Sequence, residues 1–463
     1  MSKLVGVSVR MYQVGFGDCF LLSFEYDGPV APGNRTERHM LVDFGRNYRP
    51  WHGGNMEQVA RSIKARTNSQ IDVLVVTHRH EDHLSAFGSK TVAKIIGDCQ
   101  PKLIVRSWTE DPDADPNLNK PGFGIADRRY VAALQGARGF MGQLAGGFRL
   151  DGTTMGKRLR FLASTEFANE VAVNQLRDWG KAPGADFEYL HVGVGSKIGS
   201  LIPEVEFEVL GPPLPTLYPK IAKQVSDHDK EFWHLWAQRV PMALEGAASL
   251  EAADPDAMAR LAAGASTAPR RRPAAAHAPG EIGPVRWLTE KVRAQQVASL
   301  LRVVTWLDDV MNNTSVVLLI KAGKRRLLFS GDAQLESWQW ITADSPKAAT
   351  NRKNLRKVDL YKVGHHGSRN ATPKTSLYGL WAPTGTTPRR VVSLMSTRED
   401  AYGESDNTFV PSENLKTGLS TAPMLLITTQ QDKVVDDKIL AYEVAASTTG
   451  TQGFQVKPSE LRP

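Results

Sequence analysis

Residues 71–83 read Ile71-Asp72-Val73-Leu74-Val75-Val76-Thr77-His78-Arg79-His80-Glu81-Asp82-His83. The first six form an apolar run of strand length, the pattern of a buried strand. A turn packed with metal-binding side chains comes directly after it. Alternate residues leaving a strand face the same way, so His78 and His80 can point inward together, and Asp82 and His83 lie within one further turn. Three imidazoles and a carboxylate within six residues are too polar for a core. A solvated histidine-rich loop is the bland alternative, and the buried strand feeding the cluster argues against it. His with Asp suits zinc, or manganese and iron where oxygen ligands predominate.

Outward from this stretch the chain keeps a strand–helix–strand rhythm. Val5 to Tyr12 alternates, Phe20 to Phe24 continues apolar, and Met40-Leu41-Val42 runs into Asp43. Residues 56–66 have helical spacing, with Val59 and Ile63 four apart, and Leu103-Ile104-Val105 is a further strand. Beyond it the expectation is a short helix near Tyr130 to Leu144, a helix over about 167–179, and strands at Lys197 to Leu201 and Val205 to Leu210. The texture changes over 214–305, where helical patterns flank ASTAPRRRPAAAHAPGEIGP, a composition typical of a linker. Strands return at Ser315 to Ile320, Arg326 to Ser330, Leu360 to Val363, Arg390 to Leu394 and Met424 to Thr428. The chain therefore reads as one α/β fold made of halves 1–213 and 306–446, with an inserted segment over 214–305 and a C-terminal tail over 447–463.

A chain of 463 residues can bury a large core, and no apolar run is long enough to span a membrane. The N-terminus lacks the apolar core of a secretory signal. Cys19 and Cys99 are the only cysteines, and both lie in core-like surroundings, which fits reduced thiols in the cytoplasm. The net charge of +8, from 57 basic against 49 acidic residues, is a mild excess. It is compatible with an anionic substrate and equally with plain solubility. Its densest run is Arg270-Arg271-Arg272.

The HxHxDH pattern after a strand resembles the metallo-β-lactamase superfamily, and further motifs come in that family's order. They are Asp43 in LVDFG, Asp332 in LLFSGD, and His365-His366 in YKVGHHGS. The segments YQVGFGDCFLLSF, VEFEVLGPP, NNTSVVLLIKAGKRRLLFSGDA and KVGHHGSRNATP narrow the resemblance to the ComEC-type competence branch and its soluble relatives. It covers about residues 5–105, 185–213 and 305–430. The resemblance implies an αββα four-layer sandwich carrying a mainly helical insertion. It also implies two divalent ions, Zn2+ or Mn2+, with a metal-bridging hydroxide as nucleophile. His78 and His80 would hold one ion, Asp82 and His83 the other, and Asp332 would span both. His366 or His365 would complete the second ion, the remaining one meeting the developing oxyanion or leaving group. Asp82, His365 and His366 are thus the catalytic candidates, and Asp43 would orient the ligands from behind. Asn313, Ser315, Lys362 and Ser368 are candidate substrate contacts, although a lone lysine such as Lys362 reads more readily as solvent-facing.

This chain departs from the family in two places. Where many members carry another histidine, it has Asn312-Asn313-Thr314-Ser315, as the ComEC-like branch does, which leaves the first ion one ligand short. His191, His228 or His234 could fill the gap. The branch's late Tyr-Gly-His-Pro is here Tyr402-Gly403-Glu404-Ser405. By this resemblance the expected activity is a phosphodiesterase, most readily a nuclease acting on DNA. One alternative is an ester or lactone hydrolase with a pocket walled by Trp233, Trp236 and Trp287. Another is an interaction protein whose partner docks on the 214–305 segment or the tail.

Overall fold

The computed structural model describes residues 2–31, 33–47, 55–115, 122–147, 169–222, 231, 310–383, 385–398, 410–429 and 439–461. It is a mixed α/β structure built on two mixed sheets. The first sheet contains β1 (Leu4–Tyr12), β2 (Cys19–Val30), β3 (Arg35–Phe44), β4 (Val73–Val75), β5 (Leu103–Ser107) and β6 (Asp186–Leu190). The second contains β7 (Val205–Gly211), β8 (Val317–Ala322), β9 (Arg325–Phe329), β10 (Leu360–Lys362), β11 (Val392–Met395) and β12 (Leu425–Thr428). Two late strands, β13 (Ile439–Ser447) and β14 (Gln455–Leu461), return to the first sheet. Its order is β14-β13-β1-β2-β3-β4-β5-β6, and the second runs β12-β11-β10-β9-β8-β7.

Side-chain alternation explains how the sheets pack. Val73 and Val75 of β4 join a core shared with Leu318, Leu327 and Phe329 of the second sheet, so the two sheets meet face to face. Leu74 and Val76 point the other way, into a second core with Val59 and Ile63 of the helix Met56–Arg66 and Ile96 of the helix Lys90–Gly97. In the second sheet Leu328 likewise faces a third core with Trp338, Leu355 and Leu415, all on helices. Strands in the middle of both sheets are therefore covered on both faces, and their sequences read as continuous apolar runs.

Several expectations change. Residues Ile198–Leu201 form a short helix rather than a strand. Its first turn is fixed because Lys197 N donates to Glu188 Oε1 at 2.6 Å and Ile198 N to Ser196 Oγ at 3.2 Å. The expected short helix near Tyr130 runs longer, over Ile125–Gly147. The stretch 447–463 is no free tail, because β14 pairs antiparallel with β13 at the sheet edge. Of the 214–305 segment, residues beyond 222 other than Glu231 lie outside the described residues, as do Trp233, Trp236, Trp287 and Arg270–Arg272. Glu231 ties that segment to the body: its carboxylate accepts from Thr375 N at 2.8 Å and Ser376 Oγ at 2.7 Å. Among the described residues no helix is long and apolar enough to cross a membrane. Cys19 and Cys99 are both free and buried.

Candidate metal centre

The site lies where strand ends converge. Asp43 is the penultimate residue of β3, Thr77 to His83 come after β4, Asp332 after β9, His366 after β10, and Ser396 after β11. Open α/β sheets bind ligands at such carboxyl ends, where each strand releases its chain toward a common crevice. Close approach makes this possible. A Cβ on Gly331 would stand 2.9 Å from the Cβ atoms of both Ser315 and Thr77, and Gly331 itself has φ +51. No side chain fits there, so the Asp332 turn can press against the His78 turn.

Four side chains gather: Asp82, His83, Asp332 and His366, all buried, each with a ligand atom within 4.8 Å of the others. His83 Nε2 is 3.1 Å from Asp332 Oδ2, and His366 Nε2 is 3.0 Å from Asp82 Oδ2. The far side of each imidazole is spoken for. His83 Nδ1 meets Asp43 Oδ2 at 2.9 Å, and His366 Nδ1 donates to the Ser396 carbonyl at 2.8 Å. With Nδ1 engaged in this way, Nε2 of both rings faces the carboxylates, in the position where a metal ion would replace the Nε2 proton. Asp82 Oδ1 is buried and accepts no hydrogen bond. Two imidazole nitrogens and two carboxylates are a suitable donor set for a divalent ion such as zinc or manganese. These buried groups could hold one.

The electrostatics come from crowding opposite charges together away from water. Burial alone would depress His83, but Asp332, Asp43 and Asp82 outweigh it and hold the imidazole well above its usual value. Burial would likewise lower His366, and Asp18 and Asp332 reverse the direction. Burial would raise both carboxyls, yet His83 and His366 bring Asp82 down to about 2. His83 and Lys362 hold Asp332 well below the usual range.

His78 and His80 form a separate pair, with His78 Nε2 3.0 Å from His80 Nδ1. The Thr77 hydroxyl, 2.8 Å from Asp43 Oδ2, is 3.2 Å from His78 Nδ1 and turns that ring. Among the described residues no third His, Cys, Asp or Glu joins them in a three-ligand group. His191 does not: its Nδ1 donates to the Val192 carbonyl at 2.8 Å and its ring packs edge-on to Phe123. His228, His234 and Glu404 lie outside the described residues.

The remaining candidates are all held by neighbours in the fold. His365 contributes its backbone N–H to Asp332 Oδ1 at 3.0 Å, and its ring is not in the four-residue cluster. Asn313 is buried and occupied structurally, donating to Glu336 Oε2 at 2.9 Å and accepting from Gln334 N and Ser337 Oγ. Ser315 Oγ accepts from Asp332 N at 3.0 Å and so shapes the turn rather than touching substrate. Ser368 Oγ donates to Asn370 Oδ1 at 2.9 Å, each satisfying the other. Lys362 does not face solvent. It is buried against Asp332 and Asp18.

Asp18 is the residue sequence reasoning missed. It is fully buried, 3.6 Å from His83 Nδ1 and 3.6 Å from His366 Nδ1. Its backbone N–H donates to the Asp82 carbonyl at 2.9 Å, which carries it into the centre. Asp18 stands in YQVGFGDC, but a Gly-Asp before a strand reads as an ordinary turn. Comparison with protein-family models and with curated proteins finds no match to this chain.

Proposed function

We propose that this protein is a metal-dependent hydrolase of metallo-β-lactamase architecture, acting on phosphodiesters and most readily on DNA. The observation that carries the reading is the buried Asp82, His83, Asp332 and His366 cluster at converging strand ends. The double sheet with helices on both outer faces is the layer order that this family resemblance implies. The donor set fits zinc and manganese alike. A divalent ion bound here supplies Lewis acidity toward a phosphoryl oxygen and a more acidic water.

The chain's own residues supply the rest. Asp43 and the Ser396 carbonyl lock His83 and His366 in the tautomer that presents Nε2. His78 and His80 present two more imidazole nitrogens 3.0 Å apart beside the four-ligand group. The His365 ring, on a backbone with φ +46, stands 6.3 Å from the His366 ring and outside the four-ligand group. The net charge of +8 is compatible with an anionic substrate.

The test is cleavage of single- and double-stranded DNA with added manganese or zinc, wild type beside Asp82→Ala/Asp332→Ala, with bound metal measured on both. Cleavage and bound metal in the wild type alone are expected. Metal bound without cleavage removes the nuclease assignment and leaves a small-ester substrate. Absence of both removes the hydrolase reading altogether.

A further inference from the structure

Lys362 is buried in the centre and is not a metal ligand. Its ammonium donates to the Gly331 carbonyl at 3.0 Å and to Asp332 Oδ1 at 3.2 Å, and it pairs with Asp18 Oδ2. An ammonium has three protons to give, and oxygens of three separate residues surround it, two as hydrogen-bond acceptors and Asp18 as an ion pair. Apart from this ion pair, neither Asp18 oxygen has a hydrogen-bond partner, although the residue is 0% exposed. Four carboxylates, Asp18, Asp43, Asp82 and Asp332, gather around the site, and the Lys362 ammonium pairs with two of them.

We propose that Lys362 is a built-in cation, filling a position that the chain would otherwise offer to a hard, oxygen-ligated metal ion. That position is defined by Asp18, Asp332 Oδ1 and the Gly331 carbonyl, the ligand class taken by magnesium, calcium or manganese. The consequence is division of labour on Asp332. Oδ1 belongs to the lysine and the His365 N–H, and Oδ2 faces His83 and would be the oxygen left for an ion held by the four-ligand group. Asp18 then has a counter-charge of its own, so a buried carboxylate behind the two histidines is not left bare. This rests on the metal-centre reading for its setting, but it concerns a different position in the cluster.

The experiment counts manganese ions bound per chain, by equilibrium dialysis and elemental analysis, in the full-length wild type, Lys362→Gln and Lys362→Ala. Circular dichroism monitors folding alongside. Both variants are expected to bind one ion more than the wild type, and adding Asp18→Asn to either is expected to remove the extra ion. Lys362→Gln keeps volume in the cavity in case the alanine variant does not fold. Recovery of a misfolded alanine variant by millimolar manganese also supports the proposal. Folded variants that bind the wild-type number of ions overturn it. A wild type that binds no divalent ion overturns the metal-centre reading instead. In that case one manganese gained by Lys362→Gln would still uphold the built-in cation.

Discussion

His365 and His366 are neighbours with different fates. Both have left-handed backbone, φ +46 and +52, an unusual conformation for residues with a Cβ and one found where a site dictates geometry. The twist turns His366 into the cluster while His365 gives it only a backbone N–H. His366→Ala should therefore weaken metal binding far more than His365→Ala, as read by competition with a chelator. Asp43→Ala removes the partner of His83 Nδ1 and should cost about 10–100-fold in metal affinity with the ligands intact. Protons compete for the same lone pairs. Because His83 and His366 are held above their usual values, metal uptake displaces protons. Affinity should rise with pH and fall as acid protonates the two rings, and proton release on titrating metal into weakly buffered protein checks this. The HxHxDH run and the two Gly-flanked motifs made most of this legible. Lys362 was not, because a lone lysine ordinarily seeks water. The available signal was its place in Leu360-Tyr361-Lys362-Val363, a strand with parallel neighbours on both sides, where every side chain is covered.

Among the elements, β3 shows how a strand can carry acid sensitivity far from the site. His39 on β3 is buried, with Nδ1 3.0 Å from Ser23 Oγ, and burial lowers its pKa to about 3. The folded state holds it neutral, whereas the unfolded chain protonates near the ordinary value of about 6.5. Its contribution to stability is thus full above that value and is lost as pH falls toward 3. His39→Gln should flatten the acid limb of a Tm-against-pH curve over that window, and an unchanged limb would assign the acid sensitivity elsewhere. Strands with continuous apolar runs, β4 and β8 among them, were legible because burial on both faces leaves no room for polar residues. Short amphipathic pieces were not. Ile198–Leu201 carries the same residues a strand would, and its helical turn is decided by the distant Glu188 carboxylate. The β14 strand was hidden for another reason: it contains Pro458, which an edge strand tolerates because one side of its backbone needs no partner.

At the level of the whole molecule, the ligands come from both sheets, with His83 after β4 and Asp332 and His366 after β9 and β10. An ion held there would therefore be a crosslink between the two sheets, present only in the folded state. Loading at a free concentration of about 100 times Kd should stabilise the fold by about 2.7 kcal/mol. A rise in Tm with manganese that disappears in Asp332→Ala is the expected signature; equal rises in both would place the ion elsewhere. The α/β class was legible because apolar strand runs alternate with stretches of helical spacing along the chain. The pairing of β1 with β13 was not, since nothing local in Val5 to Tyr12 names a partner at the far end of the chain.

That pairing has a bearing on how the protein is made. β1 lies between β2 and β13, with Val7 opposite Ala446. A nascent chain leaving the ribosome cannot complete its first sheet until residues 439–461 emerge, because the slot beside β1 stays vacant until then. During that interval the open edge of β1 is a template for any passing strand. Synthesis stalled just short of residue 439 should consequently leave a protease-sensitive, aggregation-prone intermediate, and emergence of β13 and β14 should close it in one cooperative step.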